Sequence, residues 1–274
     1  MSQKKKPLYE LKRVTRPYRF YKYMESRWLA DLLLHDQIKI TYLSTINDPL
    51  EWLPQFENRQ SEQAWQQQMQ SNPIPVLCLS SRISTTAMWG HYADAHKGIA
   101  LAFDLPLNFH EPDFNTRHQL SAESHAYPLG PLRAGCPWLM KVTYTPTRPT
   151  FDPAAPITAL YNLISTKGPD WASESEYRIR LTGNITHKTD GTPICRGMRK
   201  YLSGIILGIH TPTETEQEIR ALVTQAKLEL PIIRAEKHLT DYSIIAPPFV
   251  DTDTHELDNW TLDNHLKAQQ RNTP

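Results

Sequence analysis

The feature that most restricts this chain is its proline: 22 prolines stand against 10 glycines in 274 residues. Proline fixes φ, lacks the amide proton that a helix interior or a central ladder needs, and pushes the residue before it toward extended backbone. The prolines cluster at 146–156 and at 247–248 and punctuate 105–137. A bundle of long helices does not accommodate that spacing, whereas short elements joined by extended connections do. Aromatic and branched aliphatic residues run along the whole length, so a chain of this size carries enough apolar surface to build a core.

Periodicity places the elements. Tyr18 to Met24 reads as a first strand, followed by a helix capped by Ser26 in which Trp28, Leu29, Leu32 and Leu33 fall at helical spacing. A strand is predicted from Ile38 to Leu43, a surface helix over the glutamine-rich stretch Gln60 to Gln70, and a strand from Ile74 to Leu79. A helix follows over Thr86 to His96, then a strand from Ile99 to Phe103 and a long loop over 105–137. Later strands are expected at Trp138 to Tyr144, Tyr177 to Leu181, Tyr201 to Leu207, Ile232 to Ala235 and Tyr242 to Ile245. Helices are expected at Pro153 to Ser165 and from Thr213 or Thr215 to Ala226. Strands and helices that do not alternate strictly predict an α+β fold, a single domain with a mixed, largely antiparallel sheet and flanking helices. It is expected over 17–249, behind a flexible basic lead, 1–16, and ahead of a polar C-terminal tail, 250–274.

Several functions fall away. Thirty Lys and Arg against 29 Asp and Glu leave a net charge of +1, without the basic excess of a protein that wraps bulk nucleic acid, although a local basic patch stays open. Cys78, Cys136 and Cys195 form no CxxC pair, which argues against a zinc ribbon or a disulfide framework and for a reducing compartment. The N-terminus has no apolar run of the signal-peptide kind, and Ile205 to Ile209 is too short to span a bilayer, so a cytoplasmic protein with no membrane partner is expected. No Walker loop, GxGxxG, HExxH or GxSxG occurs, and no spacing demands a metal.

Four clusters carry candidate chemistry. Tyr21, Lys22 and Tyr23 alternate on the first strand, either as two aromatics and a cation that cradle a flat ring and a phosphate or as a strand with one tyrosine face in the core. Asn47, Asp48 and Glu51 belong to a turn with Pro49 that brings two carboxylates together for a ligand's hydroxyls or a neighbouring arginine. Trp89, His91 and Tyr92 lie in the stretch Met88 to Gly98, where a histidine can serve as acid, base or clamp, or simply pack. Glu174, Glu176 and Arg178 occupy alternate positions on one face of a strand, as a carboxylate pair for proton transfer and cation stabilisation or as a salt-bridge ladder.

In this order the clusters resemble the bacterial domain of unknown function 2971 family: aromatic-Lys-Tyr, then Asn-Asp-Pro-x-Glu, then Met-Trp-x-x-Tyr with Gly98 closing, then Trp-x-x-Glu-x-Glu-Tyr-Arg. The resemblance spans about 18–245 and implies no chemistry. The strand order is also similar to the ADP-ribosyltransferase layout. That resemblance implies Glu176 as catalytic carboxylate, Glu174 as its helper and Ser80 or Ser81 as the middle-strand residue. The first-strand reader would fall within Tyr21 to Tyr23, where the usual His or Arg is missing, although Arg19 is near. It implies an enzyme, a toxin or antiviral defence effector among the options, that takes NAD or a related nucleotide as substrate. No resident cofactor is implied, and the acceptor would be a protein or nucleic acid. The competing expectation is a non-catalytic module that binds a nucleotide, nucleic acid or protein.

Overall fold

The computed structural model describes residues 17–105, 139–154, 156–181 and 185–255. The expectations for 1–16, 106–138 and 256–274 lie outside these residues. Eight strands form the main sheet: β1 (Tyr18–Met24), β2 (Thr41–Tyr42), β3 (Pro75–Ser80), β4 (Ile99–Leu105), β5 (Leu139–Lys141), β6 (Glu176–Arg180), β7 (Leu202–Leu207) and β8 (Ile232–Arg234). Their order is β8-β7-β4-β1-β3-β6-β5, with β2 also on β3. Only the β7–β8 pair is parallel; the other pairs in this sheet are antiparallel. Helices flank this mixed, mostly antiparallel sheet, so the fold is a single-domain α+β fold, as the element pattern predicted.

β4 is buried at almost every position, because both faces of the sheet are covered and a strand between two layers needs apolar side chains on both sides. One face packs on α1 (Leu29–His35) and α5 (Thr213–Gln225). Leu29, Leu32, Leu33, Ile219 and Val223 meet Phe20, Leu77, Leu79, Leu101, Phe103, Tyr177 and Ile179 there. The i, i+3, i+4 spacing of the three leucines puts them on one helix face.

The opposite face is divided. At one end Tyr21, Tyr23, Ala100, Ala102 and Ile206 pack with Trp89 of α3 (Thr86–Tyr92) and with Ile244, Ala246 and Phe249. At the other, Val76 and Met140 pack with Leu43 and with Ile164 of α4 (Pro156–Ile164). Between the two apolar clusters β3 and β6 contribute Ser80, Glu176 and Arg178, all buried. Strand alternation makes this strip possible, since Tyr177 and Ile179 face the other core.

Several expected elements differ in detail; the run expected as one strand to Tyr144 forms Leu139–Lys141 in the main sheet and Thr143–Tyr144 in a separate two-stranded sheet. Ser26 starts a 3-10 turn, Ser26–Trp28, and makes no capping bond; α1 begins at Leu29. The run Ile38 to Leu43 serves two sheets. Gln37–Lys39 pairs with Pro193–Arg196 in a three-stranded sheet, while Thr41 and Tyr42 pair with Val76 and Pro75. The helix expected to reach His96 stops at Tyr92, because Asp94, Ala95 and His96 all take positive φ, at 46°, 48° and 69°. Gly98 closes that turn, its amide on the Ala93 carbonyl at 2.7 Å, and a Cβ there would lie 2.5 Å from the Met24 carbonyl oxygen. The glutamine-rich helix forms as α2 (Arg59–Ser71), with Asn58 Oδ1 accepting the Ser61 amide at 2.9 Å. Among the described residues no helix is long and apolar enough to cross a membrane.

Candidate functional site

The buried strip holds a charged cluster assembled from four places in the chain. On β6 the two-residue repeat aims Glu176 and Arg178 into the same space. Arg178 grips Glu176 with both arms of its fork, Nε to Oε1 at 2.8 Å and Nη2 to Oε2 at 2.8 Å, and its Nη1 donates to the Ile164 carbonyl at 2.7 Å. Glu51 arrives from the turn that Asp48 builds, where Asp48 Oδ1 accepts the Leu50 amide at 2.9 Å, and Arg178 Nη2 also donates to Glu51 Oε1. Of the two partners foreseen for this turn, a neighbouring arginine is the one that the fold supplies. The Arg178 side chain is 0% exposed.

Glu174 ends the 3-10 turn Pro169–Glu174, and Ser175 then takes a left-handed conformation (φ 46°) that leads into β6. The carboxylate of Glu174 accepts the Tyr92 hydroxyl at 2.6 Å on Oε1 and the Lys167 ammonium at 2.7 Å on Oε2. Lys167 lies 3.4 Å from Glu51 Oε2 and 3.6 Å from Glu176 Oε2, so one cation touches all three carboxylates. Lys167 comes from the short strand Thr166–Lys167, which pairs with Thr143–Tyr144, and the Tyr144 hydroxyl accepts the Glu176 amide at 2.9 Å.

The charges do not balance. Glu51, Glu174 and Glu176 face Lys167 and Arg178, three anions against two cations, with buried Asp48 nearby. Burial pushes the Glu176 carboxyl up to about 7, with Lys167 opposing the rise and Glu174 adding to it. Burial pulls the Arg178 guanidinium down to about 9, opposed by Asp48. For Lys167 burial favours the neutral form, but Glu176 and Glu174 outweigh it and hold the ammonium above the ordinary lysine value. Burial, reinforced by Glu174, raises the Tyr92 hydroxyl, and burial with the charge of Glu176 raises the Cys78 thiol. Such a cluster favours a proton on Glu176 at neutral pH or a positive charge brought in from outside.

Half-buried Tyr92, Tyr144 and Trp171 form the rim, with exposed His91 beside it. The His91 ring lies 6.3 Å from that of Tyr92 and 6.4 Å from that of Trp171, and Lys167 Nζ sits 4.6 Å from the Trp171 ring centre. The other sequence candidates are placed around this cluster. Ser80 donates to the Glu174 carbonyl at 2.7 Å, and Ser81 to the Ser175 carbonyl at 3.3 Å. Tyr21 and Tyr23 lie in the core, their hydroxyls on the Val250 and Arg82 carbonyls at 2.6 and 2.8 Å. Trp89 packs edge-on against Tyr23, its indole N–H on the Ile83 carbonyl at 2.9 Å. Lys22 stands on the opposite face of β1, and Asn47 is exposed. Residues 250–252, at the start of the stretch read as a tail, are tied down. Besides the Val250 contact, Asp251 accepts Ile83 N, Ser84 N and Ser84 Oγ, and Thr252 donates to the Ser81 and Arg19 carbonyls.

Lys167, Tyr144 and Cys78 escaped the sequence reading. The available signal for Lys167 is a lone cation seven residues before Glu174, and its partners become visible only when the chain folds back. Among the described residues no group of three or more His, Cys, Asp or Glu could hold a metal ion.

The fold and cluster thus define an α+β protein with a buried carboxylate–cation network on one sheet face. Residues 88–179 match the model of the family described as "Protein of unknown function (DUF2971)", the family that the motifs resemble; the match takes in the Met88 to Gly98 and Trp171 to Arg178 motifs and leaves Tyr21 to Tyr23 and Asn47 to Glu51 outside. The matched stretch contains Trp89, His91, Tyr92, Tyr144, Lys167, Glu174, Glu176 and Arg178, and leaves β1–β3, β7 and β8 outside it. No curated protein and no solved structure matches the chain.

Proposed function

We propose that the chain acts on the N-glycosidic bond of NAD or a closely related nucleotide, with Glu176 as the principal carboxylate and Glu174 as its helper. The observation that carries this reading is one row of paired residues, Tyr21 on β1, Ser80 on β3 and Glu176 on β6, side by side across three adjacent strands. The three strands follow the order of first-strand, middle-serine and late-glutamate positions that the ADP-ribosyltransferase resemblance implies, with Tyr21 itself wholly buried at the first of them. In the reaction the bond between ribose C1′ and the ring nitrogen breaks, its electron pair neutralises the pyridinium, and positive charge develops on the ribose. An acceptor hydroxyl, amine or water then bonds C1′ and releases its proton. With Glu176 ionised the buried cluster has one anion in excess, which stabilises that charge. On this reading a ribose hydroxyl would displace the Tyr92 hydroxyl from Glu174 Oε1.

Nicotinamide release from NAD by the wild type, beside Glu176→Gln and Glu174→Gln, tests this. Release that falls about 10²–10³-fold in Glu176→Gln, with the melting temperature retained, is expected. A second reading, a non-catalytic nucleotide-binding module, draws on the engagement of both Glu176 oxygens by Arg178. Thermal shifts with nucleotides but no release from the wild type, with candidate protein and nucleic-acid acceptors present, would select it.

A further inference from the structure

On the sheet face opposite this cluster, three cations converge on one indole. Lys39 Nζ lies 4.9 Å from the Trp28 ring centre, and Arg27 and Lys188 reach it at 5.2 Å each. Trp28 is half-buried, packed from one side against the core that α1 closes. The acids on the patch are Glu25, paired with Arg27 at 2.9 Å, and Asp31, paired with Lys188 at 2.7 Å. Lys39 is exposed and forms no ion pair among the described residues. Lys22 of β1 is within Coulombic reach of Lys39. Burial, with Lys39 adding to it, holds the Lys22 ammonium below the ordinary lysine value, and it too forms no ion pair among the described residues. Asp190 lies within Coulombic reach of Lys188, so with Lys22 included four cations face three acids.

The positive strip continues along α1. Trp28 directly precedes the helix, and at its far end Arg196 and Arg199 donate to the His35 and Leu33 carbonyls at 2.9 and 2.7 Å, with one acid between them, Asp36, whose carboxylate accepts the Gly197 and Arg199 amides. Seven helical residues span roughly 10 Å, the reach of a few nucleotides and well short of a duplex turn of roughly 34 Å.

We propose that this face binds single-stranded nucleic acid, with one base stacked on Trp28 and adjacent phosphates held by Lys39, Lys188 and Arg27. Lysine heads that now lie over the ring turn outward to phosphate oxygens as the base takes their place. Stacking on an indole needs an unpaired base, which selects single strands over duplex. The near-neutral charge of the whole chain fits a short local contact rather than wrapping.

The test is fluorescence anisotropy of labelled 12-mers of oligo-dT and oligo-U with the full chain, against a 12-bp duplex and inorganic polyphosphate. Wild type should bind the single strands more tightly than duplex or polyphosphate, with log K falling against log salt at a slope of about −2 for three phosphate contacts. The two oligonucleotide arms tell DNA from RNA as the source of the ligand. Trp28→Ala should weaken binding about tenfold. Because Trp28 also packs on the core, the exposed Lys39→Glu provides the second variant, expected to weaken binding without moving the melting temperature. No binding by the wild type, equal binding of polyphosphate, or affinity unchanged in Lys39→Glu would overturn the proposal.

Discussion

Replacing Arg178 by methionine asks whether the guanidinium holds the cluster together. The side chain is wholly buried and donates to Glu176 twice, to Glu51 and to the Ile164 carbonyl. Methionine fills much of the volume but leaves Glu51 and Glu176 with Lys167 alone as countercharge, at 3.4 and 3.6 Å. Removing one partner of a buried ion pair destabilises by about 3–5 kcal/mol, because the other charge stays behind uncompensated. At roughly 2–4 °C per kcal/mol for a chain of this size, the melting temperature should fall by roughly 6–20 °C. The loss should also depend on pH. Glu176 titrates at about 7 in the folded protein and at about 4.3 when unfolded, and loss of Arg178 raises the folded value further. A carboxyl raised by folding penalises the native state as pH climbs from the unfolded value through the folded one. The deficit of Arg178→Met relative to wild type should therefore be larger at pH 8 than at pH 5. Calorimetric or circular-dichroism melts at the two pH values measure it, with Arg178→Lys expected between. A melting temperature equal to wild type at both pH values would refute the reasoning, as would an equal deficit at both.

Four further outcomes follow from the same contacts. If Glu176 acts as an anion, nicotinamide release should rise with pH and level off above about 7; a profile that falls over that range would assign the acting form to the protonated acid. Ser80→Ala removes the buried bond to the Glu174 carbonyl and should destabilise by about 1–2 kcal/mol in a denaturant melt. Asp251→Ala removes three acceptor contacts and should raise the amide exchange of Ile83 and Ser84 while leaving α1 protected. Gly204→Ala places a Cβ 2.2 Å from the Phe249 ring and should lower stability by about 1–3 kcal/mol through overpacking.

Much of the site was legible as local pattern. The alternation of Glu176, Tyr177 and Arg178 was enough to place the two charges on one face, and the Asn47 to Glu51 turn was readable as an Asx turn that presents a carboxylate. The partners of these groups were not legible. Glu51 and Arg178 are 127 residues apart, and nothing at either position specifies the other. Lys167 carries no periodic signal at all, yet it is the group through which Glu51, Glu174 and Glu176 communicate.

The strand-forming aromatics, the leucine spacing of α1 and the proline-rich connections were sufficient to determine an α+β fold, because they act within a few residues of one another. Tertiary structure decided everything that depends on strand order. Pairing β1 with β3 and β3 with β6 puts Tyr21, Ser80 and Glu176 in one row. It buries the tyrosines while leaving a polar strip between two apolar clusters. Side-chain alternation fixes which residues share a face of their own strand; which strands lie side by side is fixed by the packing of the whole chain, and the charge excess of the cluster exists only at that level.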